Sequence, residues 1–215
     1  SRTRFLNLLR YSLCSSCSRE ARRVHGRPTI FTAVVIIINK EEENNMIGAE
    51  TGLKIATEYE ERRVKWSRNI LEPYRQWFCL DVGTGNGRIT NDFGNIVGVD
   101  IDKNAIIRNP LTQKLLADAR FLPFRSGVFA LVIMLEVIEH LSDDGALSSV
   151  SEAHRVGHNL ILSTPNNSLL RKAFWRIRRK GGLSSVYHEK EYSLGEIRKM
   201  CELTGFKVTK LFGLG

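Results

Sequence analysis

The sequence predicts an α/β fold, a doubly wound and mostly parallel sheet with helices on both faces, and three observations carry that expectation. Continuous apolar runs at 78–82, 96–99, 129–135 and 159–163 have the length and composition of parallel strands buried on both faces. Segments of helical or loop character separate them, which is the alternating order of βαβ units. The first run also delivers Asp81 into three alternate glycines, Gly83, Gly85 and Gly87. Glycine at such spacing lets the backbone turn sharply and approach a ligand with no Cβ in the way.

Taken in order, residues 1–45 differ from the rest. They hold Cys14 and Cys17, a net charge of about +4 and the apolar run Ile30–Ile38, followed by Lys40, Glu41, Glu42 and Glu43. That run is too short to span a bilayer, which takes about 20 residues, and no small-residue cleavage site follows it. The segment reads as an N-terminal leader or appendage, disordered or binding a partner, ahead of Met46 as a candidate start; residues 46–215 read as the folded domain. Residues 54–77, with Tyr59 and Trp66, supply helical cover. Phe78–Thr90 is the strand and glycine turn, with a helix expected to follow and offer unpaired N–H groups.

Ile96–Asp102, IVGVDID, is a strand whose apolar body ends in acid. Asp100 and its neighbour Ile101 are candidate ligand contacts, and Asp102 fits the N-cap of a helix over 103–107. Val128–Leu141 reads as a buried strand running into a short helix. Near the C-terminus Ser193 and Glu196 form a capping box that opens a helix to Leu203, Gly205 is its left-handed cap, and Lys207–Phe212 is a sixth strand.

The glycine turn is G-x-G-x-G. Arg88 stands where a dinucleotide fingerprint would carry its third glycine, and the acid two positions before the first glycine suits an ammonium better than a pyrophosphate. Asp81–Gly87 resembles motif I of the class I S-adenosylmethionine (SAM) methyltransferases, D/E-x-G-x-G-x-G, at every fixed position. Ala117–Phe124, ADARFLPF, is similar to that family's D-A-x-x-L-P-F segment, and the best likeness is to the small domains of methyltransferase-11 type. The resemblance implies SAM as cofactor, with Asp81 and the Gly83–Gly87 turn toward its amino-acid end, Asp100 on the ribose hydroxyls, and Asp118 with the Ala119 backbone on the adenine edge. The family adds an antiparallel seventh strand for which no residues remain after 212, so that strand is expected to be missing.

A second constellation is Glu136, Glu139 and His140 in LEVIEHL, with His188 opening HEKEYS downstream. On a helix, spacings of three and four place such side chains on one face. The pair of patterns resembles metal-supported O-methyltransferases, those of quinone biosynthesis and those that 2′-O-methylate small RNAs. That likeness implies Glu136, Glu139, His140 and His188 as ligands of a divalent ion such as magnesium, Glu136 as a cofactor contact, and His140 or His188 as a proton acceptor. Transfer to the hydroxyl of a small-molecule acceptor is the expected activity, with an RNA 2′-O-methyltransferase, a non-catalytic SAM-binding module and a nicotinamide oxidoreductase as alternatives.

The formal net charge of +9 is local. Arg171, Lys172, Arg176, Arg178, Arg179 and Lys180, beside Phe174 and Trp175, supply +6, so the other positions after residue 45 sum to about neutral. Such a basic helix could meet RNA phosphates, an anionic membrane surface or an anionic substrate. The four cysteines make no disulfide framework, and Cys14 and Cys17 lack a second ligand pair for zinc. A cytoplasmic location is the expectation.

Overall fold

The computed structural model describes residues 32–38, 49–165 and 190–214. Seven strands form one sheet: β1 (Thr32–Ile38), β2 (Cys79–Val82), β3 (Ile96–Asp100), β4 (Lys114–Leu116), β5 (Leu131–Leu135), β6 (Asn159–Pro165) and β7 (Lys207–Leu214). Their order is β4-β3-β2-β5-β6-β1-β7, and every pair is parallel. The helices are α1 (Ala49–Leu71), α2 (Lys103–Arg108), α3 (Asp143–Val156) and α4 (Leu194–Leu203).

The two-residue period of the strands divides the core. Leu80, Val82, Val97, Val99, Val132, Met134, Leu160 and Leu162 face one way, onto Ala146, Val150 and Ala153 of α3 and Ile197, Met200 and Cys201 of α4. Cys79, Ile96, Leu131, Ile133, Leu135 and Ile161 face the other way, where Trp66, Ile70 and Leu71 of α1 cover them. Both layers are apolar because a parallel sheet is buried on both faces. Burial also pushes the Cys79 and Cys201 thiols up to about 12, so both behave as small hydrophobes.

Several expected details hold. Ser193 Oγ accepts from the Glu196 amide while the Glu196 carboxylate accepts from the Ser193 amide, closing the capping box. Gly205 has φ +97°, and Asp102 Oδ1 accepts from the Asn104 amide at the N-cap of α2.

Two expectations are corrected. Residues 32–38 are not part of an appendage but form β1, inserted between β6 and β7 with a register running from Thr32↔Asn159 to Ile38↔Pro165. The sequence TAVVIII is β-branched and continuous, which suits an interior parallel strand as well as any run in the chain. No antiparallel strand is present among the described residues; the seventh strand comes from the N-terminal side instead. The second correction is that no α-helix follows the glycine turn. Residues 88–95 pass through turns directly into β3, because Asn91, Asp92, Gly94 and Asn95 crowd a connection too short for a full helix.

Candidate functional site

Strand order reverses between β2, from which the chain moves outward to β3 and β4, and β5, to which it returns. Open α/β sheets bind ligands at such a switch point, beyond the carboxyl ends of the strands. A cavity of about 240 Å³ lies there, lined by Asp81, Gly83, Thr84, Gly85, Asn86, Arg88 and Ile89 after β2, Leu135 and Glu136 after β5, and Glu60, Arg63 and Val64 from α1.

The turn is built for close approach. Gly83, Gly85 and Gly87 have φ of +71°, +54° and +76°, a region that L-residues occupy at a cost. A Cβ on Gly83 would meet Val137 Cγ2 at 2.5 Å and one on Gly87 would meet Asn109 Oδ1 at 2.6 Å, whereas one on Gly85 would meet nothing within 4 Å. Gly83 and Gly87 are glycine for the protein's own packing. Gly85 leaves open space for a ligand.

Two carboxylates support the turn, Asp81 in the cavity wall and Asp100 on the Gly85 amide. Asp81 is buried and accepts a 2.6 Å hydrogen bond from Thr90 Oγ1. Burial pushes its pKa up to about 6, opposed by hydrogen bonds from Thr90 and Thr84 and reinforced by the Asp100 charge. Asp100 Oδ2 accepts from the Gly85 amide and Oδ1 from the Asp102 amide, each at 2.8 Å. A carboxylate oxygen keeps a further lone pair after one such bond, so Asp100 can still accept from a diol.

Ile101 beside Asp100 is 70% exposed. Asp118 is held by Arg120 in a two-point ion pair, Nη2–Oδ2 2.6 Å and Nε–Oδ1 3.0 Å. Those hydrogen bonds keep its carboxyl below its ordinary range. The half-buried Ala119 lies between the two.

Glu136 has φ +57°, the one non-glycine residue in that region among the described residues. Its amide donates to Ser163 O (3.1 Å) and Ser163 Oγ (3.2 Å), and Ser163 Oγ donates to Glu136 Oε1 (3.1 Å). Such a backbone costs about 1–3 kcal/mol and persists where the surroundings fix it, as at binding sites.

The expected helical cluster is corrected here. Only Ile138–His140 are helical, as a single 3₁₀ turn, and Glu136 lies before it in the left-handed conformation. Glu139 is fully buried and accepts from Thr164 Oγ1, while His140 is exposed. No group of three or more metal-ligating side chains gathers among the described residues. Among the described residues a metal ion is therefore not supported. His188 and the basic residues 171–180 lie outside the described residues.

Four groups in or under the site give no sequence signal. Asn109 is buried and donates to Gly85 O (3.0 Å) and Thr84 Oγ1 (3.2 Å), bracing the turn from α2's far end. Thr90 caps Asp81, Ser163 pins Glu136, and Arg63 reaches the cavity from a helix that the sequence offered only as cover. The one trace of this in the sequence is a polar residue, Asn109, placed just before Pro110.

Comparison with known proteins agrees with this geometry. Residues 80–159 match the family model described as "Methyltransferase domain". An uncharacterized protein of Methanocaldococcus jannaschii is 31% identical over 105 residues, 47% of this chain and 46% of that protein, so the chain spans about half the length of the curated relative. Magnesium protoporphyrin IX methyltransferase from Synechocystis PCC 6803, solved with bound SAH, is 16% identical with a TM-score of 0.59, over 95% of this chain and 90% of that one. The small RNA methyltransferase HEN1 is 19% identical with a TM-score of 0.53, over 68% of this chain and 21% of that one. At these identities the solved structures speak for the fold. The matched segment spans the glycine turn, Asp81, Asp100 and Glu136, so residues 80–159 are similar to a methyltransferase domain.

Proposed function

We propose that this protein transfers the methyl group of SAM to a hydroxyl of a small-molecule acceptor. The observation that supports it most is the cavity at the sheet's switch point, where Gly85 opens onto space beside the buried Asp81 and is itself held by its amide to the Asp100 carboxylate. An acid facing an ammonium, an acid facing a diol and a turn with no Cβ between them match the two ends of SAM. Asp118, Ala119 and Ile101 would complete the adenine end.

When bound, SAM supplies a methyl carbon made electrophilic by its sulfonium sulfur. The chain's own work is alignment and proton removal. Glu136, fixed by Ser163, shapes the wall on which the acceptor would rest. A hydroxyl needs help to lose its proton near neutral pH, and His140, exposed at the end of the turn leaving the cavity, is the described side chain suited to take it. With SAM bound, the cofactor would supply the methyl group while His140 would accept the proton that the acceptor hydroxyl gives up.

The hydroxyl assignment rests on the likeness of LEVIEHL and HEKEYS to O-methyltransferases. The basic run 171–180 favours RNA as a second acceptor class. Incubation of the protein with SAM carrying a radiolabelled methyl group, across catechols, lipids, small RNA and protein, separates these readings. Label in a small-molecule hydroxyl is the expected result; label in RNA or protein replaces the acceptor, and none in any pool points to a module that binds without transferring.

A further inference from the structure

Residues 117–124 form neither helix nor strand, yet the loop they make is fastened at both ends. The Ala117 amide donates to Asp100 O at 3.0 Å, which ties the first of them to the end of β3. At the other end Leu122 and Phe124 are buried in the core, where the Phe124 ring meets Phe129 edge to face. Between the two fastenings lies a turn, closed by the Phe121 amide on Asp118 O at 3.0 Å.

Packing fixes the loop's side chains but leaves its main-chain groups in need of partners. An ion pair near the end of α3 supplies them. Arg155 donates from Nη1 to Phe124 O at 2.7 Å and from Nη2 to Leu122 O at 2.8 Å. Glu152 Oε2 accepts from the Leu122 amide at 2.8 Å, and the same carboxylate takes Arg155 Nε at 2.6 Å and Nη2 at 2.7 Å. One ion pair thus meets three main-chain groups of one loop, unlike a surface pair that only meets itself. The Arg155 hydrogen bonds, opposed by burial and joined by the Leu122 amide, hold the Glu152 carboxyl below its ordinary range. Neither residue lines the switch-point cavity.

We propose that Glu152 and Arg155 are positioning residues that set base selectivity, by holding the turn at 118–121 against the adenine edge of the cofactor; this rests on the SAM reading above. They touch no ligand and act through Asp118 and Ala119. Ordering the loop before the ligand arrives removes that cost from binding. A turn held in place also discriminates between bases, because an amine and a carbonyl at one ring position need opposite hydrogen-bond partners.

S-Adenosylhomocysteine and S-inosylhomocysteine test this directly, since they differ at the purine edge, an amine in one and a carbonyl in the other. Calorimetric titration of each is carried out on the full chain, on Arg155→Met, which keeps an unbranched stem, and on Arg155→Lys, which can reach one carbonyl. The unmodified chain should prefer S-adenosylhomocysteine about tenfold or more. Arg155→Met should weaken that ligand about tenfold and leave S-inosylhomocysteine within about twofold, so that the preference collapses. Arg155→Lys should recover part of it. A merely structural role would lower the melting temperature and weaken both ligands alike. Unchanged S-adenosylhomocysteine affinity in folded Arg155→Met, or equal losses for both ligands, therefore overturns the assignment. Should Arg155→Met not fold, Arg155→Lys carries the same comparison, with a smaller loss confined to S-adenosylhomocysteine expected and an equal loss or none overturning it. Equal affinity of the unmodified chain for the two ligands also overturns it while leaving the SAM reading in place; binding of neither removes both.

Discussion

The Gly85 amide donates to Asp100 Oδ2 at 2.8 Å, so the middle of the glycine turn and the end of the neighbouring strand form one hydrogen-bonded unit. The other Asp100 oxygen holds the Asp102 amide. Asp100 therefore positions the turn that carries the cavity, and in the proposed function it also contacts the cofactor. Asp100→Ala should lower SAM affinity by more than one charged hydrogen bond to ligand is worth, which is about 1.5–3 kcal/mol or roughly tenfold to a hundredfold. Asp100→Asn, which keeps one acceptor oxygen, should fall in between. Titration calorimetry on both variants checks this, and equal affinities in the two would show that the carboxylate is not shared in this way.

Gly85→Val isolates the cavity from the fold. The new side chain would meet no protein atom at its Cβ, so its cost to stability is the backbone strain at φ +54°, about 1–3 kcal/mol. Gly127 has φ +65° on a loop outside the cavity and makes a matched control. Both variants should lose similar thermal stability, and only Gly85→Val should lose SAM binding. Retained affinity in folded Gly85→Val would count decisively against the site.

Asp81 makes ligand-free stability depend on pH. Its folded pKa of about 6 lies above the ordinary 3.8. The folded state thus holds the proton more tightly, and this contribution is fully present below about pH 4 and lost as pH rises through 6. Asp81→Asn should abolish that part of the slope, so its melting temperature should gain on the unmodified protein between pH 4 and 7. SAM affinity should move oppositely, falling as pH drops below 6, because the ammonium requires an ionised partner. Parallel pH profiles for the two proteins would refute the assignment.

The N-terminal strand should be integral to stability. β1 lies between β6 and β7 and pairs with both along its length. A chain beginning at Met46 would leave β7 without its neighbour and expose the β6 edge, so it should be less soluble and melt at a lower temperature. Equal solubility and melting temperature would return residues 32–38 to the role of an appendage.

Much of this was legible in the sequence, for identifiable reasons. Strands β2, β3, β5 and β6 announce themselves because burial on both faces demands unbroken apolar runs, and the capping box of Ser193 and Glu196 is a local rule that tertiary context did not override. The Asp81–Gly87 turn is equally local. What escaped was non-local. The run TAVVIII reads the same whether it pairs with β6 or not, since pairing is decided by what lies 127 residues further on at Asn159. Glu136, Glu139 and His140 have helical spacing, but the left-handed backbone at Glu136 is imposed by Ser163 on another strand. Arg63 and Asn109 acquire roles only once folding brings α1 and the end of α2 beside the turn.

Titration calorimetry of the full chain with SAM and, separately, NAD decides whether the switch-point cavity binds SAM. The structure predicts saturable binding of SAM at one site per chain, lost in Gly85→Val, and no binding of NAD, since Arg88 stands where a pyrophosphate-binding turn would carry glycine and no helix N-terminus follows. Saturable NAD binding with none of SAM would contradict it.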